Sequence, residues 1–210
     1  MINDIQINRK EMEKEARKKD ILEVATKLFS EKGYHEVKVD DIAEKVGLSK
    51  GTIYLYYKNK ETLFYSISIQ KTDSLEAQLE SAIQSQYSFI QSLENFVHTF
   101  LKFFHENESF FKIIHSEKIH LSDEGHDFMK EYGMKAFQKY FRIMIKLIKL
   151  GQNQNVIRKV DPLLLAKTIR GLINSFTFHR IFWGCSYSIE KETDQIVDIF
   201  LHGAGEKNNK

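Results

Sequence analysis

Side chains able to recognise another molecule are densest between residues 49 and 64, where the chain reads SKGTIYLYYKNKETLF. Tyr54, Tyr56 and Tyr57 lie close to Lys50, Lys58 and Lys60. A tyrosine offers a flat apolar body, suited to a thymine methyl or a sugar, and a hydroxyl that donates to a phosphate or a base acceptor. A lysine neutralises phosphate. Lys50 and Thr52 stand at the N-terminal end of the segment, the end from which a helix laid in the major groove reads base edges. Gly51 between them lets the backbone approach closely. Lys58 and Lys60 fall at the far end, where the flanking backbone would lie. The chemistry expected is non-covalent recognition of double-stranded DNA, centred on Ser49, Lys50, Gly51, Thr52, Tyr54, Tyr56, Lys58 and Lys60.

Those residues need a rigid carrier. Ile21, Val24, Ala25, Leu28 and Phe29 recur at three and four, which predicts an amphipathic helix from Lys14 to Gly33, preceded by a frayed polar segment over residues 1–12. Val39, Ile42, Ala43 and Val46 predict a short helix ended by Gly47, and Ser49 stands where the N-cap of a second short helix belongs. Two short helices joined by Gly-Leu-Ser make a helix-turn-helix. Within it, Ile53, Tyr57 and Leu63 are expected in the core rather than on the binding face.

Longer helices follow. One runs from Lys60 to about Gln86, two more are hinged near Glu106-Asn107-Glu108, and another closes at Gly151. A helix capped by Asp161, with Pro162 at its first position, runs to Gly184, and a last one spans about Ile189 to His202. One proline and ten glycines in 210 residues argue against a sheet, so the fold expected is all-α. The division expected is a DNA-binding domain over 1–62 and a larger helical effector-binding and dimerisation domain over 63–210.

The net charge of +2 places any nucleic-acid surface in local arrangement rather than in a global field. No run is apolar enough to span a bilayer and the start lacks a signal peptide's apolar core, so a cytoplasmic protein is expected. Cys185, the single cysteine, is read as a small core residue. His115 and His120, five apart, lie on different helix faces, so no metal is expected. No phosphate loop, nucleophile elbow or His-Glu-x-x-His is present; no catalytic residue, no cofactor and no enzyme activity are expected.

ILEVATKLFSEKGYHEVKVDDIAEKVGLSKGTIYLYYKNKETLF resembles the N-terminal domain of the TetR family of bacterial transcriptional repressors nearly position by position. The matching places hold Arg17, Phe29, Gly33, Tyr34, Ile42, Ala43, Gly47, Ser49, Gly51, Thr52, Ile53, Tyr54, Tyr56, Tyr57, Lys60, Glu61 and Leu63. The resemblance implies that Lys50, Thr52, Tyr54 and Tyr56 face the groove, that Tyr56 and Lys60 grip phosphate, and that Arg17 anchors the first helix to the DNA backbone. One place departs from the pattern: Lys38 stands where the family has a capping threonine. Lys38 can meet phosphate as a point charge but cannot cap, so Asp40 and Asp41 are expected to stabilise that helix through its dipole.

The same resemblance implies pairing through the last two helices into a homodimer that reads a palindromic operator. Leu165, Ile169, Leu172, Phe176 and Trp183, with Ile196, Val197, Phe200 and Leu201, are the residues expected at that interface. It further implies a pocket for a small, largely apolar effector, for which Phe100, Phe104, Phe111, Phe137, Phe141, Phe176 and His179 are the candidates. Arg170 and Arg180 lie beside them and suit either a polar head group or an ion pair. An effector-independent architectural DNA-binding protein stands as the alternative, and after it a helical lipid-binding protein or enzyme on the same scaffold.

Overall fold

The computed structural model describes the backbone of residues 2–84, 86–116 and 123–203, and the side chains of 11–84, 86–113 and 130–203. All the regular structure among them is helical: α1 (Ile2–Lys32), α2 (Val39–Val46), α3 (Lys50–Tyr56), α4 (Lys60–Ala82), α5 (Phe89–Glu106), α6 (Glu108–Ser116), α7 (Asp123–Asn153), α8 (Pro162–Trp183) and α9 (Ile189–His202). The side chains of His115 and His120 lie outside the described residues.

Two compact units are present. The first comprises Met1–Lys71 with Lys112–Lys130, and the second Thr72–Phe111 with Glu131–Lys210. In the first, α1 packs on α2 and α2 on α3. Ile21, Ala25, Phe29, Val37, Ile42, Ile53 and Leu63 are all but inaccessible. The Phe64 ring closes this core edge-on to Phe29 and Tyr34, at 5.5 and 5.0 Å between centroids. In the second, α5 lies against both α8 and α9. Phe89, Leu93, Phe96 and Val97 on α5 meet Ile169 and Ile173 of α8 and Ile196 of α9 in one core.

Most boundaries follow local signals. Asp161 accepts from Leu163 N–H at 2.9 Å and places Pro162 at the first position of α8. Ser88 and Gln91 exchange the reciprocal bonds of a capping box that starts α5. Because that box needs a non-helical Ser88, α4 stops at Ala82, short of the Gln86 expected.

Two other ends differ from expectation. α1 begins at Ile2 rather than near Lys14, since its polar start holds no glycine or proline and is rich in Glu, Lys and Arg. α7 runs on to Asn153, and Gly151 lies inside it. A Cβ there would sit 2.7 Å from the buried Phe89 ring, so Gly151 permits close approach of α5 rather than ending the helix.

Candidate nucleic-acid interface

The turn that sets α3 on α2 rests on one residue in a conformation that favours glycine. Gly47 adopts φ 75°, in the left-handed region that a side chain disfavours. Leu48 N–H then reaches back to the Ala43 carbonyl at 2.9 Å. Ser49 follows in extended backbone, and its Oγ accepts from Thr52 N–H at 3.1 Å to cap α3. The Ser49 and Thr52 hydroxyls also bond each other at 2.8 Å.

α2 is capped differently from expectation. Lys38 occupies the N-cap in extended backbone with no side-chain cap, and its N–H donates to the Asp41 carboxylate at 2.8 Å. Asp41 thus performs the third-position half of a capping box, a direct bond beyond the dipole effect expected of it. The ammonium of Lys38 is left exposed.

On α3, Ile53 and Tyr57 point inward, as expected, and define the buried side. Tyr57 donates its hydroxyl to the Lys18 carbonyl at 3.3 Å, tying the end of α3 to α1. Its phenol is pushed up to about 12, by burial first and by the charge of Glu15 second. On the opposite side Tyr54 is 44% exposed and Leu55 84% exposed. Leu55 was not among the candidates, although its place two residues from Ile53 on a short helix carried the signal.

Lys50 donates to Asp40 at 2.6 Å, and that hydrogen bond raises its pKa, so it stays cationic. Arg17, Lys45 and Lys58 are exposed, and Tyr56 is partly so. A Cβ on Gly51 would meet only Ser49 Oγ, at 3.8 Å, and the residue has no positive φ. Nothing inside the fold requires glycine there.

Lys60 is placed otherwise than expected. Its Nζ donates to the carbonyls of Tyr34, Val37 and His35 at 2.8, 2.9 and 3.3 Å. It also lies 4.4 Å from the Tyr34 ring centroid. Three ammonium donors thus meet three carbonyls of the α1–α2 connection, and Lys60 clamps that connection to the first turn of α4 instead of reaching out to phosphate.

The sequence profile of the bacterial regulatory proteins of the tetR family matches residues 21–67, the span that carries α2, α3 and this clamp. The HTH-type transcriptional regulator YhgD of Bacillus subtilis is 29% identical over 71% of this chain and 76% of its own length. The chain carries a TetR-family DNA-binding domain over residues 21–67. It is a helix-turn-helix transcription regulator. Among solved structures, the TetR-family regulator PfmR from Thermus thermophilus is 28% identical with a TM-score of 0.69, covering 89% of this chain and 99% of that one. FadR from Bacillus subtilis, in complex with stearoyl-CoA, shares the fold at 21% identity, with a TM-score of 0.72 and coverage of 89% and 98%.

In the second unit, the candidate effector residues fall into separate groups. Phe100, Phe104 and Phe111 stack face to face in series, at 4.9 and 4.3 Å, and so fill space for one another. Phe137 and Phe141 lie tilted against each other at 4.6 Å between centroids, with the Arg170 guanidinium 4.0 Å over the Phe137 ring. Phe176 packs on the core, while His179 is exposed beside Trp183.

The expected interface residues divide as well. Leu165, Ile169, Ile196 and Val197 are buried in the chain's own core, and Leu172, Phe176, Phe200 and Leu201 pack against it. Only Trp183, 70% exposed, faces out. The outward face of α8 presents Leu164, Gly171 and Phe178 instead, with Ile199 exposed on α9. Arg180 is a buried ion-pair partner: its Nε donates to Glu192 Oε2 at 2.7 Å and its other end to the Tyr187 carbonyl at 2.7 Å. Cys185, expected as a plain core residue, is partly exposed and donates to Glu192 Oε1 at 2.9 Å.

Among the described residues no helix is long and apolar enough to cross a membrane.

Proposed function

We propose that this TetR-family regulator is a ligand-responsive dimeric repressor in the bacterial cytoplasm, that α3 of each subunit reads one half of a near-palindromic operator, and that a largely apolar effector releases it. The observation that carries the DNA-reading role is the outward face of α3: Tyr54 and Leu55 stand exposed beside a glycine that no internal contact requires. Two apolar side chains left in water on one helix face are costly unless something covers them, and a thymine-bearing groove suits both. Lys50, Thr52 and Tyr56 complete the reading edge, while Arg17, Lys38 and Lys58 supply phosphate contacts around it. Lys60 supports this surface from inside.

Dimerisation follows from the outward face of α8. Leu164, Gly171 and Phe178 recur at intervals of seven along one stripe, and a Cβ on Gly171 would touch nothing within the subunit. A symmetric partner covers such a stripe and sets two copies of α3 roughly 34–36 Å apart, one turn of DNA. For the effector, the support is FadR, a relative in fold that binds stearoyl-CoA, together with the aromatic richness of α5–α7.

Fluorescence anisotropy on the DNA flanking the protein's own gene, against a scrambled duplex at matched salt, tests the reading. The expected result is a preference of orders of magnitude for the native duplex, eroded by Tyr54→Ala and Leu55→Ala, with Lys58→Ala weakening both duplexes and flattening the salt dependence. Equal binding to both duplexes, untouched by Tyr54→Ala, would make the protein an architectural binder instead.

A further inference from the structure

The second unit carries two adjoining depressions along α7, and neither holds a carboxylate. One, of about 540 Å³, lies between the last turns of α7 and Ile83 at the α4 end; Ile145, Leu147 and Leu150 form its floor, and Arg142, Lys146 and Lys149 its rim. The other, of about 480 Å³, lies between α7 and the start of α8; Phe137, Phe141 and Leu163 line it, with Arg142 and Lys167 at its edge. Arg142 and Ile145 belong to both, so the two form one path across the helix. Each falls within the roughly 300–1,000 Å³ of ordinary ligand sites.

The charges of this path are unbalanced. Lys146, Lys149 and Lys167 have no ion pair or hydrogen-bond partner among the described residues. Arg142 stands 3.8 Å from Glu76, but Lys139 holds that carboxylate at 2.6 Å. Arg170, half-buried against Phe137 and Phe141, adds a cation to the apolar end, where burial lowers its pKa from the usual arginine value. Cations at helical spacing above an aliphatic floor, leading to an aromatic trough, match a molecule that is itself divided into an anionic head and a long hydrocarbon tail.

We propose that this path binds a free acyl thioester with a phosphorylated head group, the phosphates on Arg142, Lys146 and Lys149 and the acyl chain along Ile145 into the trough of Phe137, Phe141 and Leu163. The proposal rests on the effector reading above and names where that ligand sits and what recognises it. Both ends contribute: the tail leaves water, and the head meets lysines that no described residue neutralises.

Isothermal titration of the full chain with palmitoyl-CoA, below its micelle-forming concentration and without DNA, tests it. Saturable binding is expected. Lys146→Glu with Lys149→Glu weakens palmitoyl-CoA by about tenfold or more, the effect of two opposed charges beside a phosphate, and leaves palmitate unchanged. Leu163→Asn weakens both ligands, and CoA alone binds more weakly than palmitoyl-CoA. All these positions are at the surface, so circular dichroism should show every variant folded. Three results overturn the proposal: no binding of palmitoyl-CoA, the same affinity in the double-lysine variant, or equal capture by phosphatidylglycerol vesicles, which would make the patch a membrane surface. Since the titration contains no operator, failure here leaves the DNA-reading proposal standing, and failure of operator binding leaves the titration interpretable.

Discussion

At the scale of single residues, α3, the helix proposed to read DNA, shows positions where stability and function ask for different side chains. Gly51 sits in α3 with open space around its missing Cβ, so Gly51→Ala should stabilise the fold by roughly 0.5–1 kcal/mol, since alanine is the better helix former. The same methyl would stand between α3 and DNA. A rise in melting temperature with a loss of operator affinity is the expected pair of outcomes, and unchanged affinity would show that the backbone does not approach there. Lys60 makes the opposite case. Lys60→Met should cost about 2 kcal/mol, because charge-assisted bonds to three carbonyls are lost, yet leave the salt dependence of DNA binding at its wild-type slope. A phosphate contact would instead lower that slope by about 0.9. Tyr57 links the domain to pH. Its pKa is raised on folding from the ordinary 10 to about 12, so the folded state keeps the proton longer; its contribution is whole below pH 10 and is lost as pH climbs through 12. Urea unfolding across that window should show the decline, and Tyr57→Phe should flatten it.

At the scale of elements, short helices depend on their ends. α2 has two turns and no capping side chain at Lys38, so its first turn rests on Asp41 accepting the Lys38 N–H. Asp41→Ala should therefore destabilise the N-terminal unit by about 1 kcal/mol, visible as a lower melting temperature, while Asp40→Ala removes an exposed partner of Lys50 and costs little. The α8–α9 connection is held in another way. Arg180, Glu192, Cys185 and the Tyr187 carbonyl form a network, buried at Arg180 and Glu192, in which the carboxylate accepts from both cation and thiol. Removing one partner there strands the others, so the network is more sensitive than an exposed ion pair. Nothing in the periodicity of α8 signalled it, because the partners lie seven to twelve residues apart on either side of a turn.

At the scale of the whole molecule, the proposed pairing of subunits would set the spacing of the two copies of α3. Phe178→Glu places a charge at the C-terminal end of the outward stripe of α8, at a site the subunit core does not need. Sedimentation should find monomers, operator affinity should fall by well over tenfold, since each monomer grips one half-site, and far-ultraviolet dichroism should be unchanged. A variant that stays dimeric would move the interface to another surface.

Much of this chain could be read without its fold. Helix ends at Gly33, Gly47, Asp161 and Gly203, the Ser49 cap, and the inward places of Ile53 and Tyr57 were legible, because each is decided by backbone geometry or by neighbours a few residues away. The match of residues 17–65 to the TetR family rests on the same local features. Tertiary structure alone decided the rest. α8 is apolar on most of its circumference, with Leu163, Leu164 and Leu165 in succession, so periodicity could not say which stripe enters the core; contact with α5 and α9 turned Leu165 and Ile169 inward and left Leu164 and Phe178 outside. Gly151 was legible as a helix breaker, yet the ring of Phe89, far earlier in the chain, makes it a point of close approach inside the helix. Lys60 looked like a surface cation until the chain folded back and set three carbonyls around it. Composition and spacing determine where a chain turns and what its faces are made of, since those depend on short-range sterics and hydrogen bonds. Which face meets which, and which charge is already satisfied, depends on groups brought together from distant positions, and only packing selects among them.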